Sequence, residues 1–456
     1  MTADLRDLDT LPVRRLFWRY AAPSIAGMLV TGVYYLVDGM FVGRYVGETG
    51  LAAINLAYPL VMFILGVGAM LSMGAATRVS LSQGAGKPDE ARNALAAGLW
   101  LTLLAGLLIP LAGWLWREPL LSLLRLDASP ALRQQAGLYL SLMLGGAVLV
   151  LGQFMTAALL RNDGRPRLAT ALLSAGAVLN ILLDYLLVVV WPFGLAGAAV
   201  ATLLAEGLVS AAGLIYLTSR HARLRLSASD LLRWPRGMAD VLKLGLSGFM
   251  MELNLALLLI VHNLQLLRYG DETQVAAYAI AGYTESLFIL VVHGLAIGVQ
   301  PLISHATGAG EPRRVAETLR YAIRATLLTG GLSWLLVQAL PELIATVYTS
   351  DNPVLLAAGV AALRLHLLAM PLDGLIIMGV VLLQAMADTR GALFGTVGKT
   401  LLLLPVLWLL PQALGLNGVW LALPLVNLLL GAVMALMLAR QLRRLSGIRR
   451  RQPALT

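Results

Sequence analysis

Six acidic side chains interrupt the long apolar segments of this 456-residue chain, and they are its most chemically demanding feature. They are Asp38, Asp184, Glu206, Glu252, Glu285 and Asp373. By insertion scales each charge costs about 3 kcal/mol at the centre of a bilayer, so each must face water, a partner or a bound cation. Among basic residues only Arg364 is clearly within such a segment, and Lys399 lies nearer the end of another. The excess is acidic, which suits cations as driving ions or as cargo, although acids near a helix end can instead reach the membrane surface.

The sharpest group of these residues lies in the first half of the chain. Asn180 and Asp184, in LNILLDYLLV, are four residues apart and share one face of a helix. A rise of ~1.5 Å per residue places Asp38, Asp184 and Thr202 at similar depth. Two carboxylates, an amide oxygen and a hydroxyl are hard oxygen ligands that can bind a proton or coordinate a cation such as sodium. Tyr139 could reach the same region, and it is also a candidate for a substrate site or a second cation site. The alternative is that the Asp and Asn only clamp two helices together by a hydrogen bond.

The second half offers a different polar set, which is a candidate for a substrate site or a second cation site. It consists of Glu252, Asn254, Glu285, His293 and Asp373. Glu252 and Asp373 could form the cation site, although nothing in their spacing fixes a contact between them.

Pro23 is the candidate hinge of the first apolar segment. In APSIAGMLV it removes a backbone hydrogen bond from the predicted helix and permits a bend. If the helix bends and straightens there, Asp38 could couple protonation to helix movement. Proline is also common in membrane helices that do not bend in this way.

The composition is that of a protein dissolved mostly in lipid. Hydrophobic residues make up 59% of the chain and charged residues only 13%, about half the charged share of a soluble protein. This excludes a cytosolic enzyme, a secreted disulfide scaffold and a disordered chain. There is no cysteine, and the five histidines show no metal-ligand spacing. We therefore expect neither catalysis nor a cofactor, and no metal other than a possible sodium ion at the coupling site.

Twelve segments are long and apolar enough to cross a bilayer, which needs about 20 residues. They are 16–42, 51–79, 93–116, 132–160, 168–191, 194–218, 241–267, 274–304, 319–340, 355–387, 391–411 and 414–439. The N-terminus lacks the pattern of a cleaved signal peptide. An even number of spans puts both termini on one side of the membrane. Most of the 34 Lys and Arg residues lie on that side, which predicts that it is the cytoplasm. The net charge of +10 thus reflects topology rather than nucleic-acid binding.

The two halves of the chain repeat each other at a nearly constant spacing. The matching blocks are Tyr45–Ala57 with Tyr269–Ala281, Gly84–Pro88 with Gly308–Pro312, and Phe193–Leu204 with Leu414–Leu425. Six spans per half predict an all-α fold of two six-helix bundles related by a pseudo-two-fold axis along the membrane normal. The predicted parts are an N-lobe (1–218), a cytoplasmic linker (219–240), a C-lobe (241–440) and a basic tail (441–456). Asp38 aligns with His262, so its site is not duplicated.

With these motifs the sequence resembles the multidrug and toxic compound extrusion (MATE) family along nearly its whole length. The resemblance rests on VDGMFVGRYVGETGLAAINLAYPL (Val37–Leu60), the GAGKP and GAGEP loops, and the block Leu159–Val188 that ends near the Asn180 and Asp184 pair. Together with Asp38 and Thr202, that pair looks most like the bacterial DinF branch.

The resemblance implies a proton- or sodium-coupled antiporter of the bacterial inner membrane. It would export amphipathic, mostly cationic drugs by alternating access, and a monomer contains all the parts required. Asp38, Asn180, Asp184 and Thr202 would bind the coupling cation, with Tyr139 as a neighbour and Pro23 as the bending proline.

Two further implications depart from that pattern. Glu252 and Asp373 resemble the acidic pair of the NorM branch, whereas the first half of the chain is DinF-like. The alternative function is a lipid-linked precursor flippase of the same superfamily, for which a basic cleft and additional spans are expected instead.

Overall fold

The computed structural model describes residues 5–123, 130–232, 234–349 and 351–451, and these are helical with no strand. The first half contains α1 (Leu5–Thr10), α2 (Val13–Phe41), α3 (Glu48–Gly84), α4 (Pro88–Leu115), α5 (Arg117–Leu123), α6 (Pro130–Gly145), α7 (Ala147–Asn162), α8 (Pro166–Asp184), α9 (Leu195–Thr218) and α10 (Ala228–Leu232). The second half contains α11 (Met238–Tyr269), α12 (Glu272–Gly308), α13 (Pro312–Ala339), α14 (Pro341–Tyr348), α15 (Pro353–His366), α16 (Met370–Ala385), α17 (Thr389–Leu414) and α18 (Leu416–Arg451).

The described helices account for all twelve predicted spans. Nine are long and apolar enough to cross a membrane singly, and three bent pairs (α6 with α7, α13 with α14, α15 with α16) raise the number to as many as twelve. The helices extend past the predicted apolar limits at most ends, because polar residues continue a helix beyond the hydrocarbon region. The prediction of an all-α polytopic membrane protein is confirmed.

The bent pairs correct two spans that were expected to be continuous. Segment 132–160 breaks between α6 and α7 with a bend of 47°, and segment 355–387 breaks between α15 and α16 with a bend of 53°. At the first break a Cβ on Gly146 would lie 2.4 Å from a methyl carbon of Leu203, so the glycine permits a close approach of α9. The third bend, of 81°, places Pro341 in the first turn of α14, where its missing N–H costs no helical bond.

The contacts divide the chain into two compact units. The first unit contains Met1–Thr10 and Ala26–Leu253, and the second contains Leu11–Ile25 and Asn254–Thr456. Residues 219–240, predicted as a linker, therefore belong with the first unit. The lobe boundaries drawn from the sequence repeat stay a prediction, because a boundary of duplication need not coincide with a boundary of packing.

The first unit is held together by backbone approaches that only glycine allows. A Cβ on Gly74 of α3 would lie 2.0 Å from the carbonyl oxygen of Val241, and a Cβ on Gly245 of α11 would lie 1.7 Å from that of Met70. Small residues let membrane helices pack at such short range. The positions of α3 and α11 thus depend on these two glycines.

The connection after α9 is fixed to the body of the first unit by a buried carboxylate. Asp163 accepts hydrogen bonds from the hydroxyl of Tyr216 (2.8 Å) and from the backbone N–H groups of Arg223 (3.0 Å) and Leu224 (3.0 Å). Burial raises the pKa of the Asp163 carboxyl above its usual value, while these donors favour its charged form. Residues 219–224, the first part of this connection and here called the strap, are therefore held against the end of α7.

Both helices that carry the acidic pair of the first half end in a π-helical turn. Val42–Val46 follows α2 and Tyr185–Val190 follows α8, and the two turns contact each other. Such turns are rare and frequently accompany functional sites. They bring the ends of α2 and α8 together just beyond Asp38 and Asp184.

The second unit packs α12, α13 and α15 to α18 around buried apolar side chains, among them Trp420. The stretch Leu11–Ile25 belongs to it, and there Phe17 is buried and lies 6.0 Å, between ring centroids, from Tyr321 of α13. On α2 the backbone helix is continuous through Pro23. The hinge function of this proline stays a prediction.

Candidate functional site

Asp38 and Asp184 meet in the interior of the first unit. Their carboxyl groups, on α2 and α8, interact directly and lie within reach of a hydrogen bond to each other. Asp184 is fully buried, with 0% of its surface exposed. Two carboxylates in contact in a buried site cannot both stay ionised unless a cation compensates them, and otherwise they share a proton.

The amide and the hydroxyl of the predicted set lie on the adjoining faces of α8 and α9. Asn180 is one turn before Asp184 and is also buried. Its side-chain amide donates a hydrogen bond to Thr202 Oγ1 on α9 at 3.4 Å. The structure therefore brings together Asp38 with Asp184, and Asn180 with Thr202, along one side of α8.

This region is rich in buried oxygen atoms that receive no hydrogen bond. They are Asp38 Oδ1, both carboxylate oxygens of Asp184, Asn180 Oδ1 and Glu206 Oε2. As ionised groups the acids have no proton to offer one another, and an unsatisfied buried acceptor is costly. No Lys or Arg side chain of the described ranges pairs with Asp38 or Asp184. Buried acceptor oxygens that receive no hydrogen bond are suited to holding a proton or a small cation.

Three polar residues of this site, Thr31, Tyr34 and Gln153, are not predicted from the sequence. For Glu206 the sequence leaves open whether the side chain faces the interior or reaches the membrane surface. A small cavity of about 10 Å³, room for about one water molecule or a small cation, is lined by Thr31, Tyr34, Gln153, Asn180, Thr202 and Glu206, with four apolar residues. Glu206 is only 4% exposed, which excludes the reading that it reaches the membrane surface. A signal was present in the spacing: Tyr34 with Asp38, and Thr202 with Glu206, are each four residues apart, as Asn180 and Asp184 are.

Tyr139 lies near the acids of this site. It is on α6 and interacts electrostatically with Asp38 and with Glu206. Glu252 also belongs to the first unit, where it interacts with Tyr35 and Tyr58. The role of these residues in binding stays a prediction.

In the second unit, Asp373 forms an ion pair that the sequence did not indicate. Lys399 Nζ on α17 donates to Asp373 Oδ1 on α16, and the exposed fractions of the two side chains are 12% and 2%. Glu285 on α12 interacts electrostatically with both partners. One predicted acid of this half therefore already has a cation from the protein itself.

The remaining candidates of the second half lie around that pair. The hydroxyl of Thr400 donates to Asn254 Oδ1, and the Asn254 amide donates to the carbonyl of Thr396 at 3.5 Å. His293 interacts electrostatically with Asp373, and its Nε2 atom is buried without a hydrogen-bond partner. Asn254 is therefore bonded to α17, the helix that carries Lys399.

His262, which aligns with Asp38 in the duplication, lies in an aromatic cluster. Its ring stacks on that of Tyr278 with centroids 5.2 Å apart, and His366 meets both rings edge-on. No group of three His, Asp or Glu side chains suited to a metal ion occurs within the described ranges. The pseudo-equivalent place in the second half is thus aromatic rather than acidic.

The MatE family model matches residues 23–186 and 249–409 of this chain. A "FAD transporter" of Shewanella oneidensis is 26% identical over 434 residues, which are 94% of this chain and 95% of that protein. "Multidrug export protein MepA" of Staphylococcus aureus (strain N315) is 23% identical over 412 residues, 90% of this chain and 89% of that protein.

Solved structures of the same type superpose on almost the whole chain. A structure described as the outward-facing conformation of a multidrug resistance MATE family transporter of the MOP superfamily has a TM-score of 0.90 at 24% identity, covering 98% of this chain and 99% of the other. A MOP superfamily transporter from Pyrococcus furiosus, described as having a binding pocket of reverse polarity, also has a TM-score of 0.90, at 23% identity, with the same coverage. At this identity the likeness establishes the fold.

Proposed function

The chain belongs to the MatE family, and from that premise we propose that it is a cation-coupled antiporter exporting amphipathic, mostly cationic small molecules. The observation that carries this proposal is the group of buried, donor-free oxygen atoms around Asp38 and Asp184. The multidrug exporters named among its relatives support the substrate class. A proton or a sodium ion is the coupling ion.

Ion binding and export are linked through charge in this proposal. When Asp38 and Asp184 are both ionised, the site attracts either a coupling cation or a cationic substrate. Binding of the coupling cation cancels that charge, which weakens the hold on the substrate and favours its release. Because the two species compete for the same negative field, inward movement of one drives outward movement of the other by alternating access.

The coupling residues of the proposal are Asp38, Asn180, Asp184 and Thr202, and the structure supports adding Glu206 to them. The first four look like the cation site of the DinF branch, to which we assign the chain. Glu206 shares the cavity of Asn180 and Thr202 and has a buried oxygen without a donor. It is a further candidate for the proton or cation.

The protein is a multi-pass membrane protein. We place both termini in the cytoplasm, because most Lys and Arg residues lie in the loops and tails of that side. We also propose that a single chain is the transporting unit, since the whole cation site forms within residues of one unit of one chain.

A second candidate substrate is an anionic dinucleotide of the flavin type. The relative from Shewanella oneidensis is named a FAD transporter and is similar along almost the full chain. A partly buried lysine, Lys399, is present in the second unit. Against this reading, Lys399 is paired with Asp373, and the buried carboxylates of Asp184 and Glu206 in the first unit are negative when ionised.

Efflux from cells tests the proposal. A bacterial strain without its own drug exporters would express the wild type, Asp38→Asn, or Asp240→Asn, whose carboxylate is exposed. We expect the wild type and Asp240→Asn to lower ethidium accumulation, and Asp38→Asn to behave as the empty vector with equal protein in the membrane. Full efflux by Asp38→Asn would overturn the coupling site. Export of FAD in place of ethidium would favour the second candidate.

A further inference from the structure

Lys399 and Asp373 form a charge pair deep within the second unit, on two helices of the membrane region. Lys399 lies in the middle of α17, and Asp373 lies in the first turn of α16. The ammonium nitrogen contacts Asp373 Oδ1 directly, the Asp373 side chain is buried, and only 12% of the Lys399 side chain is exposed. A charge buried in this way is tolerated only with a partner, and here each group supplies the partner of the other.

The titratable groups that face the pair come from three other helices, α11, α12 and α15, and include one more acid. Glu285 interacts with both Asp373 and Lys399. His293 interacts with Asp373, while His262 and His366 interact with Lys399. The local inventory is therefore two carboxyl groups, one ammonium group and three imidazoles, within a single unit.

In the first unit the charge of the buried acids is not compensated by any described basic residue. Asp38 and Asp184 contact each other, and none of the described Lys or Arg side chains pairs with them. Their compensating charge must therefore come from outside the protein. In the second unit the compensating charge is the ammonium group of Lys399, a residue of α17.

We propose that Lys399 is a tethered counter-ion, whose ammonium group takes the place that a mobile coupling cation takes at Asp38 and Asp184. Asp373 is then a structural and electrostatic partner of Lys399, and it is not a ligand of the coupling ion. The coupling ion binds only in the first unit. This inference rests on the proposed function for its transport readout, but its binding readout does not depend on any exported substrate.

The central test is rescue of one charge deletion by the other. Asp373→Asn leaves an unpaired ammonium group, and Lys399→Met leaves an unpaired carboxylate beside Glu285. We expect each to lower ethidium transport in proteoliposomes at least about tenfold, since breaking a buried pair is far more harmful than removing it whole. The double variant Asp373→Asn/Lys399→Met should recover to within about threefold of the wild type. Lys243→Met, at an exposed lysine, and Asp240→Asn are the matched controls.

The ion-binding readout separates a tethered counter-ion from a pair that only stabilises the fold. Purified protein would be assayed for bound ²²Na⁺ and for protons taken up on acidification, with size-exclusion profiles recorded for every variant. The double variant should keep the wild-type number of coupling ions, Asp38→Asn should lose them, and Lys399→Met alone should gain one cation or proton at the freed carboxylate.

Three results would overturn the proposal. The double variant could remain as inactive as Asp373→Asn although it is folded, or it could bind fewer coupling ions than the wild type, and either result would make Asp373 an ion ligand. Wild-type activity of Lys399→Met without an additional bound ion would show that the ammonium group is dispensable. If the wild type exports no dye at all, the proposed function fails, and the binding arm still decides between these outcomes.

Discussion

Replacing Asp184 by asparagine should make the protein more stable and at the same time inactive. Asp184 is fully buried, and neither of its carboxylate oxygens accepts a hydrogen bond. Asparagine has nearly the same shape but no charge, and its amide group can donate to Asp38 or to Asn180 Oδ1. Asp184→Asn thus removes the property needed for coupling and adds the donor that the fold lacks.

The expected changes in the free energy of unfolding and in cation affinity both follow from the environment of Asp184. A charge at the bilayer centre costs about 3 kcal/mol by insertion scales, and a new hydrogen bond contributes about 1 kcal/mol. Because a bound cation or proton already offsets part of the charge, we expect a gain of about 1–3 kcal/mol in the free energy of unfolding. A cation about 4 Å from one carboxylate gains about 4 kcal/mol at an effective dielectric constant of 20. Losing one of two carboxylates should therefore weaken cation binding about a thousandfold.

The assay compares stability and binding on the same purified samples. Thermal unfolding in detergent would be followed by tryptophan fluorescence, and coupling-ion binding by ²²Na⁺ or proton uptake, for the wild type, Asp184→Asn and the exposed control Asp240→Asn. A folded, inactive Asp184→Asn that unfolds at a temperature equal to or above that of the wild type supports the coupling function. An inactive protein that is clearly less stable than the wild type would refute the reasoning, because it would identify Asp184 as part of a helix clamp. Full activity would exclude the residue from the site.

Three other outcomes are expected. Gly245→Ala should abolish accumulation of folded protein, since its Cβ would lie 1.7 Å from the carbonyl oxygen of Met70; Gly331→Ala, whose Cβ meets nothing within 4 Å, should elute normally in fluorescence-detected size-exclusion chromatography. Asp163→Asn should destabilise the strap after α9 by about 2–4 kcal/mol through its weakened hydrogen bonds to buried donors, and limited proteolysis should then cut that strap faster, whereas unchanged cleavage would contradict the assigned role. Monovalent cationic dyes should be exported faster than anionic dyes of similar size, because the excess buried charge is negative; a preference for anionic dyes in an efflux assay would contradict this expectation.

The fold can be predicted from the sequence because every membrane span must be apolar over the thickness of the hydrocarbon region. The composition and the order of the residues show directly where this requirement is met. The bends within the spans cannot be predicted in this way. Gly146 lies at the break in its span, yet Gly74 lies inside the continuous helix α3 although another helix approaches it just as closely. Neither the residue type nor a close helix contact is therefore enough to predict a bend.

The candidate site can be predicted from the sequence only in part, because contacts between helices are again not visible in the sequence. Spacing along one helix shows which residues share a face, and depth estimates then align faces on different helices, which is how Asp38, Asn180, Asp184 and Thr202 were selected. How far each helix is rotated about its axis is set by packing. Gln153 on α7 completes the cavity only through that rotation. The pairing of Lys399 with Asp373 likewise depends on how α16 and α17 are rotated against each other.

Dye movement in proteoliposomes under separately imposed ion gradients tests the central claim most directly. Purified protein would be reconstituted in liposomes loaded with ethidium, and a pH gradient or a sodium gradient would be applied alone, with Asp38→Asn in parallel. The account predicts that one gradient drives dye movement, which names the coupling ion, and that Asp38→Asn shows none. No movement under either gradient, from folded protein oriented both ways, would contradict antiport and favour a lipid-linked precursor flippase.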